Sequence, residues 1–257
     1  MINNEQEKKK TEPQRNPGPQ DPVLCFLGIF LFSAYNLYSI MHAYREGART
    51  YEEIAEKARP AVQEDEPEAG IDFAALAAIN PDIVGWMELE GTIINYPVVQ
   101  GTDNAYYLEH LFNREVNHMG SLFIDCRSDA LLVDKLTPIY GHHTNSGAMF
   151  CTLENYKEQA FYDEHPYFIY TSPQGEYRLE AVAGTLMNAE EDFLQTAFTD
   201  EDGFLDYIAY YQRNSTFVSR TEVLPGDRVV MLLTCTADYE NARYVLICRV
   251  VPVNVVE

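Results

Sequence analysis

The sequence predicts a mainly β fold with helices, an α+β domain whose short strands form a barrel or sandwich. Two observations predict it. From Ile83 onward, short β-branched and aromatic runs alternate with Gly, Asn, Asp and Pro punctuation, the signature of strands joined by turns. A hydrophobic content of 46% over 257 residues is ample for one substantial packed core plus accessory segments.

In chain order, residues 1–21 form a neutral tail, with Lys8, Lys9, Lys10 and Arg15 set against Glu5, Glu7, Glu12 and Asp21. Residues 22–42 read as a transmembrane anchor. The stretch 22–41 carries no charge, and about 20 apolar residues span a bilayer core. Tyr35, Tyr38 and Tyr44 suit the outer interface. The rival is a cleaved signal peptide, whose apolar core would be shorter and end at a small-residue site; Phe32-Ser33-Ala34 is its weak candidate. Basic residues flank the segment on both sides (Arg45, Arg49, Lys57 and Arg59 follow it), so charge bias does not orient it.

Residues 43–70 read as a stalk and linker: helical character to Ala58, then an acidic stretch with two prolines. The domain proper spans 71–257. It opens with a helix-like segment, 71–79, in which Phe73, Leu76 and Ile79 share one face. The strand candidates are 84–89, 92–99, 121–125, 137–140, 167–170, 177–186, 228–235 and 243–253, with a helix over 192–213. No internal repeat stands out.

The net charge is −22. Such a surface repels phosphate backbones, so nucleic acid is not expected as a partner. The five cysteines, at 25, 126, 151, 235 and 248, show no CxxC and no paired spacing, which argues against a disulfide framework. Cys126, Cys151 and Cys248 read as small core or strand residues.

Cys235 is different. It closes the apolar run that starts at Arg228, and Arg243 opens the next strand after a hairpin-sized polar loop. If the two strands pair, Cys235 and Arg243 face each other across the hairpin mouth, on strands about 4.8 Å apart. A fixed positive charge beside a thiol favours the thiolate, the nucleophilic form. A second segment adds an imidazole: an apolar stretch ends at Tyr140, and Gly141 permits the sharp turn from which His142 projects.

Tyr140-Gly141-His142 followed by Gly147-Ala148-Met149-Phe150, then Leu233-Thr234-Cys235, then Arg243, resembles the sortases, specifically class B. Asn80-Pro81-Asp82 with Trp86, Tyr96-Pro97-Val98-Val99-Gln100, Asp103-Asn104 with Tyr106-Tyr107-Leu108, and Gly120-Ser121-Leu122-Phe123-Ile124-Asp125 agree with that class. The likeness runs from about Ile71 to the C-terminus. One departure is Met231, where the family usually has a Thr four positions before the cysteine.

The resemblance implies an eight-stranded sortase-type β-barrel with N-terminal helices and a helix before the seventh strand. It implies a cysteine transpeptidase in which Cys235 is the nucleophile, His142 the acid and base, and Arg243 the oxyanion or substrate contact. It implies substrate contacts at Asn104, Leu108, Tyr207 and Ile208, with core packing as the alternative for the last three. No cofactor and no metal are implied. The implied partners are surface proteins bearing an LPxTG- or NPxTN-like C-terminal sorting signal and an amine of a lipid-linked peptidoglycan precursor. The implied location is the cell membrane, single-pass, with the catalytic domain extracellular. A pilin-polymerising sortase, a silent membrane-anchored binding domain and a plain cysteine hydrolase remain open at this point. So do two readings of neighbouring residues: zinc held by His118, His142 and His143, and Asp238 as a residue that orients the histidine.

Overall fold

The computed structural model describes residues 20–59, 70–144, 146–190 and 193–255. The tail up to residue 19, most of the acidic linker (60–69) and the first residue of the expected helix, Asp192, lie outside the described residues. The chain divides between His42 and Ala43 into two compact units. The first contains the apolar part of helix α1 (Gln20–Ala58). Its large side chains face outward, with Phe26 72% and Phe32 67% exposed. An apolar helix with no protein cover is compatible with membrane anchoring.

The second unit is a closed barrel in the order β1-β2-β3-β4-β7-β8-β6-β5. The strands are β1 (Ile83–Glu88), β2 (Asn95–Val99), β3 (Leu122–Ile124), β4 (Leu136–Tyr140), β5 (Tyr167–Ser172), β6 (Gly175–Asn188), β7 (Val229–Cys235) and β8 (Ala242–Val255). All eight strand candidates are therefore present. The second is shorter than its sequence run, because Thr92 closes a turn: its Oγ1 donates to the Leu89 carbonyl at 2.8 Å and accepts from Ile94 N at 3.2 Å. Pairs β2–β3 and β4–β7 are parallel and the other pairs antiparallel. The long crossovers that parallel pairing requires carry the loops and helices: a single 3₁₀ turn (Tyr106–Leu108), a longer 3₁₀ segment (Phe150–Lys157), α3 (Gln159–Glu164) and α4 (Glu201–Arg213).

Strand β7 is buried on both faces, which explains its unbroken apolar run. Alternation sends Val230 and Leu232 into one core with Tyr244, Leu246 and Cys248 of β8. Val229, Met231 and Leu233 join a second core with Val245 and Ile247, covered by α4. Phe204, Ile208 and Tyr211 form the buried stripe of that helix. At full burial each is worth about 1.5–3 kcal/mol. Met231, the departure from the family pattern, is a packing residue here, completely buried beneath α4.

The expected helix over 192–213 begins only at Glu201. Asp200 caps it by accepting from Gly203 N at 2.8 Å, and Glu201 and Asp202 suit the positive end of the helix. Residues 193–198 run instead as an irregular segment over the barrel. Near the other end of the domain, helix α2 (Phe73–Ile79) is capped by Asp72, whose carboxylate accepts from Ala75 N at 2.9 Å.

Residues 43–58, expected as a stalk, are helical, and one face of the helix is packed into the barrel's own core: Tyr51, Ile54 and Ala58 are buried there, and Tyr44 packs against it. The Tyr51 hydroxyl donates to the Gly120 carbonyl at 2.6 Å, lies 2.9 Å from Ser121 Oγ and accepts from Phe112 N at 3.3 Å. Burial pushes its pKa up, so it stays a neutral donor. Tyr51→Phe takes this partner from the Gly120 carbonyl and Phe112 N in a dry site, whereas Ser121 Oγ keeps its bond to the His110 carbonyl at 2.9 Å, and is expected to cost about 1–3 kcal/mol. The check is the urea midpoint at unchanged m-value; an unaltered midpoint would remove the tie between this helix and the loop it holds.

Candidate active site

The hairpin β7–β8 places Cys235 directly opposite Arg243, as the loop length predicts. Both side chains fall on the face that α4 covers further down the strands, because Cys235 is in phase with Leu233 and Arg243 with Val245. Here, at the strand ends, the cover stops and Cys235 is exposed. Arg243 is also opposite Met187 of β6, and its Nη1 donates to the Ala242 carbonyl at 2.9 Å.

The imidazole arrives by a different route. Strand β4 runs parallel to β7 with Tyr140 opposite Leu233, and Gly141 N continues the ladder to the Leu233 carbonyl at 3.1 Å. The ladder stops at that bond, and His142, the next residue, lines the same cleft as Cys235. A Cβ at Gly141 would lie 2.5 Å from Leu122 Cδ2 and 2.6 Å from Phe150 Cδ2, so glycine is needed here for room between those side chains, and its φ is not in the left-handed region that a glycine-only turn would use.

His142 Nε2 lies 2.7 Å from the Leu108 carbonyl oxygen. A carbonyl can only accept, so Nε2 carries the hydrogen and Nδ1 is the nitrogen left for proton transfer. Gly120 shapes this cradle. At φ +61° a Cβ would meet Leu108 O at 2.9 Å and His142 Cδ2 at 2.9 Å. The Gly120 carbonyl is the group gripped by Tyr51, so the first helix of the domain braces the floor beneath the imidazole.

Cys235, His142 and Arg243 line one cleft of about 450 Å³. Asn104 and Leu108 line it too. Asn104 is partly committed: its Oδ1 accepts from Cys126 N at 2.8 Å. Tyr207 and Ile208 are not on the lining. Ile208 is 2% exposed in the core under α4, and the Tyr207 hydroxyl donates to the Phe193 carbonyl at 2.8 Å. They pack behind the wall that Phe193 and Leu194 present to the cleft. A helix reading of this segment hid those two residues, because it orients them by a period the backbone does not follow. Tyr140, also on the lining, donates to Asp125 Oδ2 at 3.0 Å. The Asp125 carboxyl is held well below the usual carboxylate range, mainly by Arg127.

The neighbouring candidates fall away from the thiol. His143 projects to the other side, with Nε2 3.4 Å from Glu154 Oε2 and 3.4 Å from Cys151 Sγ. Burial pushes the Cys151 thiol up, assisted by Glu154, which disfavours a nucleophilic role. Asp238 accepts from Lys157 and Thr236 rather than from the histidine, and Lys157 lowers its pKa. Among the described residues no three His, Cys, Asp or Glu side chains are grouped to hold a metal ion.

No protein-family model matches the chain. Curated relatives do. Sortase B of Staphylococcus aureus is 31% identical over 237 residues, covering 90% of this chain and 96% of that protein. Sortase B of Listeria monocytogenes is 31% identical over 232 residues, covering 87% and 93%. Among solved structures, a Staphylococcus aureus sortase B–substrate complex superposes with a TM-score of 0.72 at 30% identity, covering 82% of this chain and 98% of that one.

Proposed function

The chain belongs to the sortase B family of cysteine transpeptidases, and from that membership we propose that it cleaves a C-terminal LPxTG- or NPxTN-like sorting signal after the Thr and transfers the acyl group to a cell-wall precursor amine. The observation that carries this reading is that Cys235, His142 and Arg243, from three strand ends, line one cleft.

The chemistry follows from the groups present. The Cys235 thiol gives its proton to His142 as its sulfur attacks the Thr carbonyl carbon, and the carbonyl oxygen gains negative charge. Arg243, permanently cationic, stabilises that oxyanion, a contribution of about 2.7–4 kcal/mol in comparable sites. The C–N bond breaks as His142 gives a proton to the departing amine, leaving a thioester on Cys235. An acceptor amine then attacks the thioester, His142 takes its proton, and the C–S bond breaks to release the new amide as His142 returns that proton to the Cys235 sulfur. Asn104, Leu108, Phe193 and Leu194 supply the mixed polar and apolar walls along which an extended peptide fits. The relative solved as a substrate complex supports a peptide donor for this cleft.

The exposed apolar helix serves as a single-pass anchor over 22–42 in this reading, with residues 1–21 cytoplasmic, 43–70 leading out of the membrane and the catalytic domain 71–257 outside. The donors are then surface proteins carrying the sorting signal, and the acceptor is carried on a lipid-linked precursor.

The test is intact-mass spectrometry of the full chain in detergent with a sorting-signal peptide. A mass increase equal to the acyl fragment, mapped to Cys235 and discharged by hydroxylamine, is expected. Peptide cleavage with no adduct on Cys235 would exclude the thioester route.

A further inference from the structure

We propose that a second hollow, sharing the His142 imidazole with the thiol cleft, binds the acceptor of the transfer as a peptide primary ammonium. The inference rests on the transpeptidase reading above and gives its second substrate a place. The hollow has a volume of about 400 Å³. His142 and Leu108 line both hollows, whereas Cys235 and Arg243 line only the first. The imidazole therefore stands as the partition between them.

The reaction needs such an arrangement. The thioester forms with the donor acyl chain occupying the first cleft, so a peptide acceptor needs a different approach. That approach has to end at the imidazole, because His142 must take the proton from the attacking nitrogen. A site across the partition from the acyl chain meets both conditions.

The lining of the second hollow suits an ammonium. Its charged wall is Glu109, an exposed carboxylate, and neither Lys nor Arg lines it. Among the described residues the side chains of Glu109 and His118 make no hydrogen bond or ion pair within the protein, which leaves both open to a ligand. Tyr44 adds an aromatic face of the kind cations approach. The thiol cleft, by contrast, carries the guanidinium of Arg243 and no carboxylate. The two hollows thus differ in sign: one is built for a developing oxyanion, the other for a cation.

The experiment uses the full chain, loaded as acyl-enzyme with a sorting-signal peptide. The acyl group is then divided among water, hydroxylamine and triglycine. The readout is the triglycine concentration that captures half of the acyl-enzyme, which does not depend on how fast the acyl-enzyme forms. Glu109→Gln is expected to raise that concentration about threefold, in line with the loss of one exposed charge contact. Glu109→Lys is expected to raise it about tenfold, and the difference should shrink at high salt. Hydroxylamine, too small to need the hollow, should capture the acyl group as well as in the wild type. Glu115→Gln, an exposed carboxylate on neither lining, should behave as wild type. The proposal is overturned if Glu109→Lys captures triglycine like the wild type, if hydroxylamine capture falls in parallel, or if Glu115→Gln has the same effect. A wild-type chain that forms no acyl-enzyme would overturn the transpeptidase reading, and this inference with it; a normal acyl-enzyme with unchanged partitioning would overturn this inference alone.

Discussion

Cys235→Ala is expected to form no acyl-enzyme and to cleave sorting-signal peptide at least about 10⁴-fold more slowly than the wild type, a loss of the order that removing the nucleophile of a covalent mechanism produces. The substitution isolates chemistry from folding. Cys235 is exposed at the last position of β7, where no core packs around the sulfur. Exposed positions of this kind change stability by about 0.5 kcal/mol or less. The melting temperature should therefore stay within a few degrees of wild type while turnover vanishes. Cys151→Ala and Cys248→Ala provide the contrast: burial raises both thiols, so their removal should spare the acyl-enzyme. Turnover by Cys235→Ala comparable with wild type would end the thioester mechanism, whatever else the cleft binds.

His142→Gln carries the second large effect. The glutamine amide can still donate to the Leu108 carbonyl, which now lies 2.7 Å from Nε2, so the local backbone keeps its partner. What is lost is the second ring nitrogen and with it the ability to exchange a proton. A loss of about 10²–10⁴-fold in kcat/KM is expected. The limb of the pH–rate profile that belongs to the imidazole should disappear as well, a change that misplacement alone would not produce. If the variant keeps the wild-type pH profile at reduced rate, His142 positions substrate and another group moves the proton. Comparing acylation with amine capture tests the role twice, since on the proposed route the same imidazole gives a proton in one half of the reaction and takes one in the other.

Much of this site was legible before any coordinates. Strand β7 and strand β8 were readable from β-branched runs, and the six-residue loop between Cys235 and Ala242 closes a hairpin whose register puts Cys235 opposite Arg243. Gly141 was readable as a special position, although the expected sharp turn is not what it supplies: its φ is not positive, and glycine is needed because Leu122 and Phe150 leave no room for a Cβ. Three features were not. The 193–198 segment carries enough apolar residues to mimic a helix, yet the Asp200 cap starts the helix later. Tyr207 and Ile208 matched a family motif, but matching letters do not say which face of α4 reaches a cleft. The Leu108 carbonyl is a backbone atom, and the residue-type pattern carries no signal for it.

By itself the sequence determined the mainly β architecture, the eight strand positions, the apolar N-terminal helix and the thiol–guanidinium pair, because alternation, turn chemistry and hairpin length act over a few residues. Only the tertiary structure decided how the imidazole meets that pair. His142 reaches the cleft of Cys235 from the end of β4, which runs parallel to β7 inside a closed barrel, an approach between strands some 90 positions apart in the chain. Its cradle joins residues 34 apart, and the brace from Tyr51 to Gly120 joins residues 69 apart. Contacts of that range depend on barrel closure and on buried polar groups finding partners, which the whole fold settles at once.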